Sequence, residues 1–221
     1  MTRSMTRWTL AGCMALAAMG AVAVLDVAPA TADEATSVTS EVFDPADSTV
    51  FVHNEQFQDF VRARMTKTAC GDFELLMEMA VDVPDAPPLP PSGKSEIWWM
   101  WIFDLDTATR PQGYPWQESG SENPGKGRPP EFVVYVSWDG TEFAGTAIDR
   151  RPLLTGGEAI ITPVTFSIDG KIIEAVLPSE VIGAVPASFR WGPYTMGWSG
   201  PVGTEGVRFA DYFEGGTVFN P

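Results

Sequence analysis

Apolar and polar side chains alternate most regularly at 73–83, "FELLMEMAVDV". There Phe73, Leu75, Met77, Met79, Val81 and Val83 interleave with Glu74, Leu76, Glu78, Ala80 and Asp82. A period of two sends the two sets to opposite faces of an extended chain, which predicts a strand with one face in a core and one mostly wet. The preceding "DFVRARMTKTA" sets Val61, Ala63 and Met65 against Arg62 and Arg64, then turns back through Cys70, Gly71 and Asp72. Phe57, Val61 and Met65 also fall at helical spacing, so a helix over 54–65 competes with this strand. Farther on, Asp-Gly separates the apolar-rich runs 131–138 and 141–148, and again 164–168 and 171–177. The type I′ turn needs positive φ at both central residues, which Asp-Gly tolerates, so both stretches predict hairpins. Pro163 cannot donate to a ladder and marks an edge strand or a bulge. Residues 178–185 fit one short helical turn and 187–192 a further strand. These elements predict an all-β fold: a single antiparallel β-sandwich, jelly-roll or immunoglobulin-like, with long loops and at most one or two short helical turns.

The segment 96–106, "EIWWMWIFDLD", is apolar on both faces. As a strand it groups Ile97, Trp99, Trp101, Phe103 and Leu105 on one face, and Trp98, Met100 and Ile102 on the other. That is the pattern of a central strand covered on both sides, or of one displaying an aromatic face. Trp99 and Trp101 side with core residues, which leaves Trp98 as the ring of this segment best placed to meet a ligand. Residues 107–130 show no periodicity, and a loop that long is commonly functional or mobile. The loop carries Tyr114 and Trp116. A second aromatic stretch, 190–206, holds Trp191, Tyr194 and Trp198 among glycines and prolines and reads as a loop. Its rings either plug the end of the sandwich or face a ligand. Trp98, Tyr114, Trp116, Trp191, Tyr194 and Trp198 are therefore the candidate ligand-binding residues.

The N-terminus changes which residues belong to the fold. Arg3 and Arg7 precede an apolar run over 8–25, and Ala30-Thr31-Ala32 fits an A-x-A cleavage site. This is the layout of a secretory signal peptide over 1–32, which predicts a flexible lead-in at 33–41, a domain over 42–221 and an extracellular location. An uncleaved anchor and lipidation at Cys13 are the rival readings. The lipidation signal requires its apolar run before the cysteine, whereas most of it here follows. Cleavage would remove Cys13 and leave Cys70 as the sole cysteine, read as a small buried hydrophobe with no intramolecular disulfide open to it. No membrane contact is expected once the leader is gone.

The formal net charge of −15 disfavours nucleic acid and anionic lipid as partners, because the phosphate term would be repulsive. His53 is the single histidine, so His-based metal clusters and a Ser-His-Asp triad lack partners. G-x-S-x-G, H-E-x-x-H and phosphate-cradling glycine motifs are missing from the sequence. Asp104 and Asp106, two apart where the long loop departs, could begin a calcium site that loop carbonyls with Glu118 or Glu122 would complete. A carboxylate pair for glycoside hydrolysis stays open, since the separation of acidic side chains is not visible in a sequence.

The succession "FDLDT", a long loop, "EFVVYVSWDG", "FSIDGKIIEAVLPSEVIG", "FRWG" and "FADYF" resembles the DOMON-like domains and the related family-nine carbohydrate-binding modules, over residues 58–213. The resemblance implies a secreted β-sandwich that binds sugars through aromatic side chains, or haem through a Met/His pair. Haem would require His53 with Met65, Met77 or Met100. The expected function is a secreted, non-enzymatic module binding a carbohydrate or cell-surface ligand. A protein–protein interaction or structural role is the first alternative, and a carboxylate-based glycoside hydrolase or lyase the second.

Overall fold

A computed structural model describes residues 37–44, 56–89, 95–105, 130–199, 207–212 and 217–220, giving the backbone alone at 95, 198, 199 and 207–212. All of them belong to one compact unit, Thr36–Pro221. The strands begin with β1 (Val38–Phe43), β2 (Phe60–Lys67), β3 (Phe73–Met79), β4 (Ser95–Asp104), β5 (Phe132–Trp138) and β6 (Phe143–Asp149). They continue with β7 (Ile160–Pro163), β8 (Thr165–Asp169), β9 (Ile172–Leu177), β10 (Phe189–Ser199), β11 (Val207–Tyr212) and β12 (Thr217–Phe219). Helical structure among the described residues is short: 3₁₀ turns at Gln56–Gln58 and Arg151–Thr155, and α1 at Ser179–Ile182. None is long and apolar enough to cross a membrane.

The strands form two antiparallel sheets, in the orders β1-β2-β3-β9-β8 and β11-β10-β4-β5-β6-β7, with β12 also paired to β10. Their facing surfaces make one core, as the all-β sandwich reading expects. The alternation at 73–79 sends Phe73, Leu75, Met77 and Met79 inward, where they meet Trp99, Trp101, Phe103 and Val134 from the other sheet. Phe73 packs edge-on to Phe103 at 5.9 Å, and Phe103 stacks on Phe189 at 5.8 Å. Three fully buried indoles also tie distant parts of the chain together by hydrogen bonds. Trp99 donates to the Phe57 carbonyl (3.1 Å), Trp101 to the Leu76 carbonyl of β3 (3.2 Å), and Trp191 to Ser40 Oγ of β1 (3.0 Å). A buried indole N–H left without an acceptor would cost the desolvation of a polar group, so these bonds fix where the two sheets sit on each other.

Several sequence expectations need correction. Residues 38–43 form an edge strand, β1, that begins within the 33–41 stretch expected as a lead-in, because Val42 enters the core and Ser40 serves Trp191. In β2 the register shifts between Phe60 and Arg62, so Phe60 takes the core position expected for Val61. The competing helix over 54–65 is limited to the 3₁₀ turn Gln56–Gln58. Trp138 pairs with Phe143, so the first hairpin closes through a four-residue loop, in which Asp139 Oδ1 accepts the backbone N–H groups of Thr141 and Glu142. In the second hairpin Asp169 pairs with Ile172, and the turn is Gly170-Lys171, one residue beyond Asp-Gly. Pro163 does lie in an edge strand, β7, and α1 occupies the expected short helical turn. Cys70 is exposed in the β2–β3 turn and is not a buried hydrophobe.

The chain passes from one sheet to the other between β7 and β8, at Val164. Here it crosses over Gly145, whose carbonyl accepts the Val164 N–H at 3.0 Å. A Cβ at Gly145 would stand 2.5 Å from the Val164 carbonyl oxygen and 2.8 Å from Phe166 Cδ1. Gly145→Ala is accordingly expected to destabilise the fold by about 1–3 kcal/mol through overpacking. This is read as a lower denaturant midpoint at unchanged m value; an unmoved midpoint would show that the crossover has slack.

Candidate functional site

Strand β4 is the spine of the larger sheet, paired to β10 on one side and β5 on the other. Its inward residues, Ile97, Trp99, Trp101 and Phe103, belong to the core. Trp98, Met100 and Ile102 face outward, as their alternation requires, and gather a second cluster with Val133 and Tyr135 of β5 and Tyr194 and Met196 of β10. Cross-strand register explains the grouping: Met100 lies opposite both Tyr135 and Tyr194, Ile102 opposite Val133, and Trp98 opposite Met196. Met100, Ile102, Val133, Tyr194 and Met196 are buried, whereas Trp98 and Tyr135 keep partial exposure. The accessible part of the cluster is thus an aromatic pair, with ring centroids 5.5 Å apart and planes inclined by 30°. The Trp98 indole N–H donates to Glu96 Oε2 at 2.8 Å, which fixes the ring's rotation about its own strand.

The far end of the same face is charged. Asp104 pairs with Arg190 across β4 and β10, and Glu131 directly precedes β5. Both carboxylates are buried, at 3 % and 5 % exposure. Glu131 Oε2 accepts the Leu105 N–H at 2.9 Å, and the Glu131 carbonyl accepts the Arg150 N–H at 2.8 Å. These bonds hold the ends of β4, β5 and β6 together where the 106–129 segment leaves and returns. A neighbouring clamp faces inward. Arg151 grips Asp149 through two nitrogens at 2.9 and 2.7 Å, reaches the Ile182 and Ala184 carbonyls, and lies 5.7 Å over the Phe132 ring. Burial pushes the Asp149 carboxyl up, but the hydrogen bonds and charge of Arg151 outweigh it and hold the group below its ordinary value. The hydrogen bonds that Arg151 donates to Asp149 in turn raise Arg151 above its own ordinary value.

Of the six candidate ligand-binding residues, the structure brings Trp98 and Tyr194 into one cluster, with Tyr194 as its buried support and not as an accessible ring. Trp191 is corrected: it is 1 % exposed, inward-facing and bonded to Ser40, so it is a core residue. The aromatic "loop" at 190–206 is corrected with it, since 189–199 form the longest strand in the described part of the fold. Trp198 lies in that strand with only its backbone described, and Tyr114 and Trp116 lie outside the described residues. So do His53, Asp106, Glu118 and Glu122, which leaves Asp104 as the one described member of the expected calcium site. No group of three or more His, Cys, Asp or Glu side chains among the described residues is arranged to hold a metal ion. Met65 and Met77 are buried in the core, and Met100 sits in the outer cluster. Tyr135 and Glu96 were not among the candidates, although the alternation in "EFVVYVSW" already places Tyr135 opposite the face of Val134 and Val136.

Compared with family models, curated proteins and solved structures, the chain matches none.

Proposed function

We propose that this chain is an exported, non-enzymatic binding module whose ligand is a carbohydrate, free or on a cell surface, held against Trp98 and Tyr135. The observation that carries the reading is the pair of partly exposed rings on the outer face of β4 and β5, 5.5 Å apart, on a base of buried apolar side chains. Indole and phenol faces offer rigid apolar area of the kind that the apolar faces of a pyranose cover well, at little cost in side-chain entropy. The Glu96 bond restrains the Trp98 ring, so less ordering remains for the ligand to impose. The resemblance to aromatic sugar-binding sandwiches supports the same class, with the rings moved from the loops to a strand face. The negative charge of the chain argues for neutral or basic ligands over polyanions.

Titration with oligosaccharides, followed by tryptophan fluorescence, tests it. A saturable change is expected for the native chain. Trp98→Ala should weaken it by at least about tenfold, or ~1.4 kcal/mol, while the protein stays folded. No response across a glycan array, or an unchanged affinity in the folded Trp98→Ala protein, would remove the proposal.

A further inference from the structure

We infer that Glu96 makes this face select a sugar bearing a free amine, of the glucosamine type, over its neutral and acidic counterparts; the inference rests on the sugar-binding reading of Trp98 and Tyr135. Of the two carboxylate oxygens, Oε2 is taken by the Trp98 indole at 2.8 Å. That is the one side-chain bond of Glu96 among the described residues, and Oε1 is the oxygen through which a ligand group would be accepted. Glu96 is partly exposed beside a partly exposed ring, so a group stacked on Trp98 comes within reach of a fixed negative charge.

Among the described residues, no basic side chain stands on the rows beside that charge. On the outward rows next to Glu96, β10 contributes Met196 and β5 contributes Ser137, neither of them basic. Arg190 stands opposite Asp104, at the other end of β4. Eight residues of strand separate Glu96 from that arginine's row, roughly 26 Å at the usual rise and well beyond the screening length in physiological salt. An ammonium group over an indole gains from the ring's quadrupole as well as from the carboxylate. A neutral hydroxyl gains only a hydrogen bond from Glu96, and a uronate or sulfate is repelled both by Glu96 and by the net charge of −15. The indole N–H is already engaged and so is not available to attract an anion.

The test compares glucosamine oligomers with the same oligomers N-acetylated, and with neutral glucose oligomers, at a pH where the free amine is charged. The native chain and Glu96→Gln are titrated in parallel. Glutamine keeps an oxygen for the Trp98 indole and removes the charge, so the ring stays placed. The native chain should bind the free-amine oligomer roughly tenfold more tightly than the acetylated one. The preference should shrink as salt is raised. Glu96→Gln should abolish it by weakening the free-amine oligomer about tenfold, well beyond any change for the neutral oligomers, which lose at most the charge on one hydrogen-bond acceptor. Equal affinities in the native chain, or a preference that survives Glu96→Gln, would overturn the role of Glu96 while leaving sugar binding in place. Failure of every oligomer to bind would overturn both.

Discussion

Trp101→Ala is expected to cost about 3–5 kcal/mol of folding stability, the range for removing a large buried aromatic side chain. In a chain of this length that corresponds to a melting temperature lower by roughly 6–20 °C. Two effects add. Trp101 is fully buried in the middle of β4, between Trp99 and Phe103, so alanine opens a cavity where the two sheets meet. Its indole also donates to the Leu76 carbonyl of β3 at 3.2 Å, and alanine leaves that buried acceptor without this donor. Trp101→Phe separates the terms: it refills most of the volume but cannot donate, so it should fall between the native chain and Trp101→Ala. Thermal melts and urea titrations of both, alongside Trp98→Ala, give the comparison. Trp98 lies partly exposed on the opposite face of the same strand, and its loss should be the milder one. A Trp101→Ala protein as stable as Trp98→Ala would mean that the interior of the sandwich is not where β4 derives its stability.

That contrast between two tryptophans of one strand was legible in the sequence, because strand alternation fixes which residues share a face whatever the rest of the fold does. The β3 pattern, the two hairpins, the edge position of Pro163 and the turn at α1 are local in the same sense. What could not be read depends on distant partners. Gly192, Pro193 and Gly197 made 190–206 look like a loop, yet β10 crosses the sheet with them in place. β12 pairs with residues 189–191 and β11 with 194–198, so Gly192 and Pro193 fall at the seam between two partners on that side, where a missing N–H and a missing side chain are tolerated. Trp191 is core because Ser40, 151 positions away, accepts its N–H, and no short pattern encodes that pairing. The candidate site was half legible for the same reason. Trp98 could be singled out by parity within one segment, but its neighbour Tyr135 is set by the register of β4 on β5, two strands far apart in the sequence.

The other large effect is expected at Arg151, and it should depend on pH. Arg151→Ala removes the two hydrogen bonds to Asp149, those to the Ile182 and Ala184 carbonyls, and the cation above Phe132. Hydrogen bonds to charged groups contribute about 1.5–3 kcal/mol each where they are well desolvated, and less here because both side chains keep some solvent contact, so a loss near 2–3 kcal/mol at neutral pH is expected. In the native chain burial opposes ionisation of Asp149 but Arg151 overrides it, leaving the folded-state value below the ordinary 3.8. The stabilisation this provides is present above the unfolded-state value and is lost as pH falls through the lower folded-state one. Without the Arg151 side chain only the backbone N–H of position 151 still opposes the burial effect, so the variant gains less than the native chain from an ionised Asp149 and loses less on acidification. The stability gap between the two should therefore be widest near neutrality and narrow below about pH 4, stopping short of zero because the contacts to α1 and Phe132 are lost at any pH. Urea midpoints of both proteins from pH 7 down to pH 3 measure it. A gap constant across that range would place the contribution of Arg151 in its carbonyl and ring contacts and not in its pairing with Asp149.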